Sequence, residues 1–213
     1  MPQGVLLVDD RTILGRRGFL AGAVAGGAGL AAGVAWSPMV DAASSASGPS
    51  AADLGFCADM TAHHVQALVM CERVLGNPTG DAVQAAATEV LRNQSIEVGM
   101  MRAWLADWGA STAEPTTVMA WMGMNEGAGM PLAMMPGYAS AAELQALAQA
   151  DGIDQGRQWL TLMRAHHVGG VAMADAAATM ASEEKVIRLA TTQSAVQSFE
   201  IDQYDQLLAT TYA

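Results

Sequence analysis

The chain has 213 residues, 52% of them apolar and only 15% charged, and a net charge of −11. Ordinary globular chains are about 45–50% apolar and about 25% charged, so the composition excludes a disordered tail and predicts a sizeable core. The acidic balance argues against nucleic acid and against an anionic membrane surface as partners, and two cysteines cannot build a disulfide framework.

Residues 1–43 read as an address. Arg16-Arg17 precedes a chargeless, Ala/Gly-rich run from Gly18 to Val40, the pattern of a twin-arginine export leader. Val40-Asp41-Ala42 before Ala43 loosely resembles a small-residue cleavage site. The run is long enough to span a bilayer, so an uncleaved membrane anchor is the competing reading. Its many glycines favour cleavage, and no cysteine near its end supports a lipid anchor. Residues 44–52 form a small-residue linker.

The rest of the chain repeats itself. Met60-Thr61-Ala62-His63-His64 returns as Met163-Arg164-Ala165-His166-His167, and Gln94-Ser95-Ile96-Glu97-Val98 as Gln197-Ser198-Phe199-Glu200-Ile201, both at an offset of 103. This predicts a bundle over 53–213, with repeat one at 53–108, a connector at 109–152 and repeat two at 153–213. In repeat one, Phe56, Met60, His63, Ala67, Met70 and Val74 follow helical seam spacing, with Ser50-x-x-Asp53 as a capping box and Gly76-Asn77-Pro78 as a stop. A second helix carries Val83, Ala87, Val90, Gln94, Glu97, Met101, Trp104 and Trp108. The connector holds Met119, Met122, Met124, Met130, Met134 and Met135 among Gly and Pro, then a short helix opened by Ser140-x-x-Glu143. Those methionines suit either soft-metal collection or packing over a bundle end. Repeat two gives Trp159, Met163, His166, Gly170, Met173 and Ala177, then Val186, Ala190, Gln193, Gln197, Glu200, Tyr204 and Leu207. No segment reads as a sheet, so an all-α bundle of two tandem helical pairs follows.

The chemistry lies on the seam, which should be apolar yet carries His63, His166, Gln94, Glu97, Gln197 and Glu200. Buried polar groups need partners. Either the histidines pair with the glutamates across each helical pair, or they bind a metal. Met60 stands three and four residues before His63 and His64, which puts its sulfur on the imidazole face of the helix. Thioether with imidazole suits Cu(I) better than Mg²⁺ or Ca²⁺. Met60, His63, His64 and Met70 make one candidate ligand set, and Met163, His166, His167 and Met173 a second. Glu97, Glu200, Gln94 and Gln197 would orient them. Cys57 and Cys71, fourteen residues apart on one helix, lie about 21 Å apart and cannot pair. Glu-x-x-His di-iron spacing, His-Glu-x-x-His, Gly-x-Ser-x-Gly and P-loop motifs are absent.

The pattern Phe56-x₃-Met60-x₂-His63-His64-x₂-Ala67-x₂-Met70, with its counterpart Trp159-Leu160-x₂-Met163-x₂-His166-His167-x-Gly169-Gly170, resembles the domain-of-unknown-function family 305. Gln94-x-x-Glu97-Val98-x-x-Met101-x-x-Trp104-Leu105 and Met135-Pro136-Gly137 are similar to its second helix and Met-rich connector. The resemblance implies a ferritin-like four-helix bundle that is usually exported, with some members implicated in copper binding. The chain departs from the family at Gly156, where the first repeat has Asp53, and at Tyr138, Gln203 and Tyr204, where sulfur is lost.

The leading expectation is an exported, non-enzymatic protein that sequesters or carries Cu(I), placed in the periplasm, cell wall or medium. Its partner is the metal ion, with no nucleic acid and no membrane beyond an uncleaved leader, and oligomerisation stays open. The alternative is a metal-free interaction bundle with a buried His–Glu–Gln network. A copper or iron redox enzyme ranks third, because nothing in the sequence supplies a substrate pocket.

Overall fold

A computed structural model describes residues 48–213. The expected leader at 1–43, its cleavage site and the first part of the linker lie outside the described residues. Four long helices and one short one carry the described chain: α1 (Ala51–Val74), α2 (Asp81–Asp107), α3 (Ala141–Gln149), α4 (Gly152–Met180) and α5 (Glu184–Ala209). The fold is all-α. Among the described residues the one exception to the expected absence of sheet is a two-residue antiparallel ladder, β1 (Thr117–Val118) with β2 (Met130–Pro131). Among the described residues no helix is long and apolar enough to cross a membrane.

The helix ends fall where capping chemistry puts them. Ser50 and Asp53 form the expected box at α1, and Ser140 and Glu143 form the one at α3. Gly76 takes φ +82° just after α1, as a C-terminal glycine should. α4 starts at Gly152 behind Asp151, one residue before the boundary expected for repeat two.

Within each repeat a short turn folds the helices back on one another, α1 on α2 and α4 on α5, and the two pairs meet along α1 and α4. The packing is antiparallel within each pair and between α1 and α4. Phe56 and Met60 from the start of α1 share a cluster with Met173, Ala174 and Ala177 from the end of α4, with Met101 and Leu105 of α2 and Val186 and Ala190 of α5. Ala67, Met70 and Val74 share the other cluster with Trp159, Leu160 and Met163, with Val83, Ala87 and Val90 of α2 and Tyr204 of α5. Residues matched by the 103 offset therefore sit in opposite clusters, which is a pseudo-two-fold arrangement. The two apolar clusters are divided by the buried histidine and glutamine positions.

The ends of this arrangement are closed differently. Asp53 is fully buried and accepts from Ser50 N and Oγ, Ser182 N and Oγ, and Glu183 N, so one carboxylate caps α1 and ties down the turn that opens α5. At the matching position a side chain on Gly156 would run into Thr79 O and the Tyr212 ring. Tyr212, whose hydroxyl donates to Thr79 O at 2.7 Å, closes that end instead. The glycine that departs from the family pattern is thus the seat of the C-terminal tyrosine.

The connector is part of the packing. Asp59, fully inside the fold, accepts from Met119 N at 2.6 Å and Trp121 Nε1 at 2.9 Å. Trp121 lies edge-on to Phe56 and against Gly55, where a Cβ would collide with it. Met119 and Met135 are buried, and Met122 and Met130 pack partly against the first cluster. Met124 and Met134 are exposed. The packing reading therefore holds for most of the connector methionines, and solvent access is left to two.

Burial raises the Asp53 carboxyl, but the hydrogen bonds from Ser182, Ser50 and Glu183 outweigh it and hold the group below its ordinary 3.8. The folded state is therefore favoured above the unfolded value, and that contribution fades as pH falls through the lower folded one. At pH 7, Asp53→Asn should cost about 1.5–3 kcal/mol, or a melting temperature lower by roughly 3–12 °C. The gap from wild type should close below pH 3.8 in thermal melts; a gap independent of pH would contradict the charged cap.

Candidate metal centre

The helical register brings the four histidines, two from α1 and two from α4, into a single layer between the apolar clusters. None has any exposed surface. His63 and His166, equivalent by the repeat, stack with ring centroids 3.6 Å apart and an interplanar angle of 24°. Self-contact of this kind is what a residue next to a two-fold axis must make. His166 Nε2 lies 2.8 Å from His63 O, bonded to it. His64 Nε2 lies 2.7 Å from Glu97 Oε2, and His167 Nε2 lies 2.7 Å from Glu200 Oε2. Each helical pair thus has a cross-helix His–Glu bond, but it is made by His64 and His167; the seam histidines His63 and His166, for which the pairing was expected, have no glutamate partner.

Much of the layer's hydrogen-bonding capacity is unused. Both ring nitrogens of His63 and Nδ1 of His64, His166 and His167 have no partner. The Pro136 carbonyl lies near the His63 ring but makes no aligned hydrogen bond to it. Burial first, then the neighbouring imidazoles, push His63 and His166 well below the ordinary histidine range. Both rings are neutral at physiological pH, with lone pairs available and no proton to displace.

The methionines are arranged otherwise than as two self-contained ligand sets. Met60 and Met173 belong to the cluster on one side of the histidine layer, and Met70 and Met163 to the cluster on the other. Each repeat's sulfurs are divided between the two sides, and all four side chains are fully buried. Among the described residues no three His, Cys, Asp or Glu side chains converge as a zinc-type cage would require. The layer presents neutral imidazoles and the flanking clusters present buried thioethers, donor types that both suit copper. Tyr204 explains the sulfur lost in repeat two: its ring packs 5.4 Å from His167 and 5.7 Å from Trp159, filling the space that Met101 fills opposite.

Gln94 and Gln197 are buried as expected of orienting residues, yet Gln94 Oε1 and both polar atoms of Gln197 lack partners. Gly170 exists for Gln197, since a Cβ there would strike its amide. Gln193, read only as a seam position, turns out to join the network: its Nε2 donates to Glu97 Oε2 at 3.0 Å and lies 3.3 Å from His64 Nε2. On the opposite face Gln66 accepts from Ala139 N and donates to Ala139 O, and clips the connector over the layer. Gly169 admits Pro136 there. Gln66, Asp59 and Gly169 carried no repeat signal, because their offset partners are Gly169, Leu162 and Gln66. Cys57 and Cys71 are free and buried, with burial pushing each thiol up to about 12, so neither supplies a ready thiolate.

Residues 53–208 match the family described as Domain of unknown function (DUF305). The chain belongs to this family. A DUF305 protein from Streptomyces coelicolor, assigned as secreted, is 35% identical, with a TM-score of 0.68 over 74% of this chain and 92% of that one. A DUF305 fragment from Deinococcus radiodurans is 28% identical, with a TM-score of 0.61 over 75% and 97%. CopM in its Cu(I)-bound form is 25% identical, with a TM-score of 0.59 over 76% and 98%, and CopM has also been solved bound to Cu(II) and to Ag. No curated protein matches the sequence.

Because His63 and His166 are held neutral by burial, their ring nitrogens should not titrate at the ordinary histidine value of 6.5 in the metal-free protein. ¹⁵N-detected histidine NMR with His63→Gln and His166→Gln assignments checks this; two resonances titrating near 6.5 and assigned to these rings would contradict the buried stack.

Proposed function

We propose that this DUF305 chain is an exported, non-enzymatic protein that sequesters or carries Cu(I). His63, His64, His166 and His167 are its imidazole donors, and Met60, Met70, Met163 and Met173 its thioether donors. The observation that carries the reading is the buried layer of unpartnered imidazole nitrogens set between two pairs of buried methionines. Leaving several polar atoms dry costs about 1–3 kcal/mol each, and a soft ion would offset that cost. The copper- and silver-bound forms of CopM support the choice of metal. Glu97 and Glu200 orient His64 and His167 through Nε2, so Nδ1 of each ring is the free donor. The Arg16-Arg17 leader would deliver the folded chain beyond the cytoplasm, where copper is met.

A metal-free interaction bundle is the second reading. It draws on the His–Glu bonds, which satisfy one nitrogen of two histidines without any ion, and on the lack of a three-donor cage among the described residues.

The two readings part in a Cu(I) titration of the leaderless protein against a coloured Cu(I) chelator under reducing, anaerobic conditions. Tight binding should be lost in both His63→Ala/His64→Ala and His166→Ala/His167→Ala, since the layer is shared, and the melting temperature should rise with metal. Competition no better than that of the denatured chain, with an unchanged melting temperature, would leave the metal-free bundle.

A further inference from the structure

We infer that ions reach the histidine layer through the crevice between α2 and α5, along a path of amide and carboxylate oxygens; this rests on the metal-binding reading above. The four imidazoles have no exposed surface, so any ion must cross a wall of the fold.

The lateral faces α1–α2 and α4–α5 are closed by the packing of each helical pair, and three further walls are shut. The two ends are apolar clusters closed by the Asp53–Ser182 and Tyr212–Thr79 contacts. The connector face is clipped by Gln66 to Ala139. It is pressed so closely that a methyl on Gly137 would meet Ala165 O and the His166 backbone, and one on Gly169 would meet Pro136 O.

The remaining wall is different in kind. A crevice between α2 and α5 is lined by Gln94, Glu97, Gln193, Gln197 and Glu200, with Val90, Asn93 and Val196 at its sides. Glu97 and Glu200 keep 21% and 13% of their side-chain surface exposed, while their Oε2 atoms bond to His64 and His167. They are the links between the buried layer and solvent. Behind them, the Oε1 atoms of Gln94, Gln193 and Gln197 are buried and unpaired. Three unpaired acceptors along one crevice form a track suited to a passing cation.

The order of donors also fits passage. Oxygen donors hold a soft monovalent ion weakly, whereas imidazole and thioether hold it well. Weak sites at the mouth and strong ones at the centre let an ion enter without being trapped on the way. The two halves of the crevice differ. Gln193 bridges to Glu97 at 3.0 Å, the bond that ties α5 to α2 among the described residues. The offset partner of Gln193 is Val90, which cannot bridge to Glu200. The Glu200 half therefore has no such latch.

The test plugs the crevice after folding. Asn93 and Val196 are exposed lip residues outside the ligand set, and the native thiols are buried. Asn93→Cys and Val196→Cys are labelled with a bulky maleimide, and Gln145→Cys on α3 is labelled as a control. Ag(I) uptake is followed by stopped-flow tryptophan emission, counting only the change that His63→Ala/His166→Ala abolishes. Lip labels should slow uptake and release at least tenfold with the dissociation constant within twofold of the unlabelled protein, and the Gln145 label should change neither. Unaltered rates with both lips plugged would overturn the route, and so would faster uptake on unclipping the connector with Gln66→Leu. Absence of any uptake by the unlabelled protein would instead remove the metal-binding reading itself.

Discussion

The contact between His63 and His166 sets the terms for the rest of the molecule. Two imidazoles stacked 3.6 Å apart can share a dry site only if both stay neutral, because two adjacent cations there would be heavily penalised. Burial keeps them neutral, and burial follows from packing α1 against α4. Once that contact is fixed, His64 and His167 fall on the flanks facing α2 and α5, within reach of Glu97 and Glu200. The sulfurs then fall above and below. A histidine layer between two apolar clusters is thus one consequence of packing α1 antiparallel to α4.

The departures from symmetry are where the molecule is specialised. Asp53 ties two helix starts together at one end, and Gly156 makes room for Tyr212 at the other. Gln66 clips the connector, while its counterpart Gly169 lets the same connector touch the helix backbone. Gln193 bridges α5 to Glu97, while Val90 leaves Glu200 unbridged. Each pair puts a polar side chain in one repeat and a small or apolar residue in the other. One face of the layer is sealed as a result, and the other is left polar and accessible.

The sequence made the helix pairs and the polar seam legible, because heptad spacing is a local property of the chain. The caps at Ser50 and Ser140 were legible for the same reason. The grouping of the methionines was not. Met60 and Met70 are ten residues apart on one helix, and only the antiparallel meeting of α1 with α4 reveals that Met60 shares a cluster with Met173. Nor were Asp59 and Gln66, whose partners belong to an irregular connector more than fifty residues away. A lone Asp beside a seam methionine was the available hint: a charge bordering a core position needs a donor from somewhere.

The most direct test is a crystal structure of the Ag(I)-loaded protein with anomalous scattering. The account predicts a peak inside the bundle, within bonding distance of imidazole nitrogens of the His63–His166 layer and of at least one of the four buried methionine sulfurs. Peaks confined to the exposed connector sulfurs of Met124 and Met134, with the histidine layer unchanged, would contradict it.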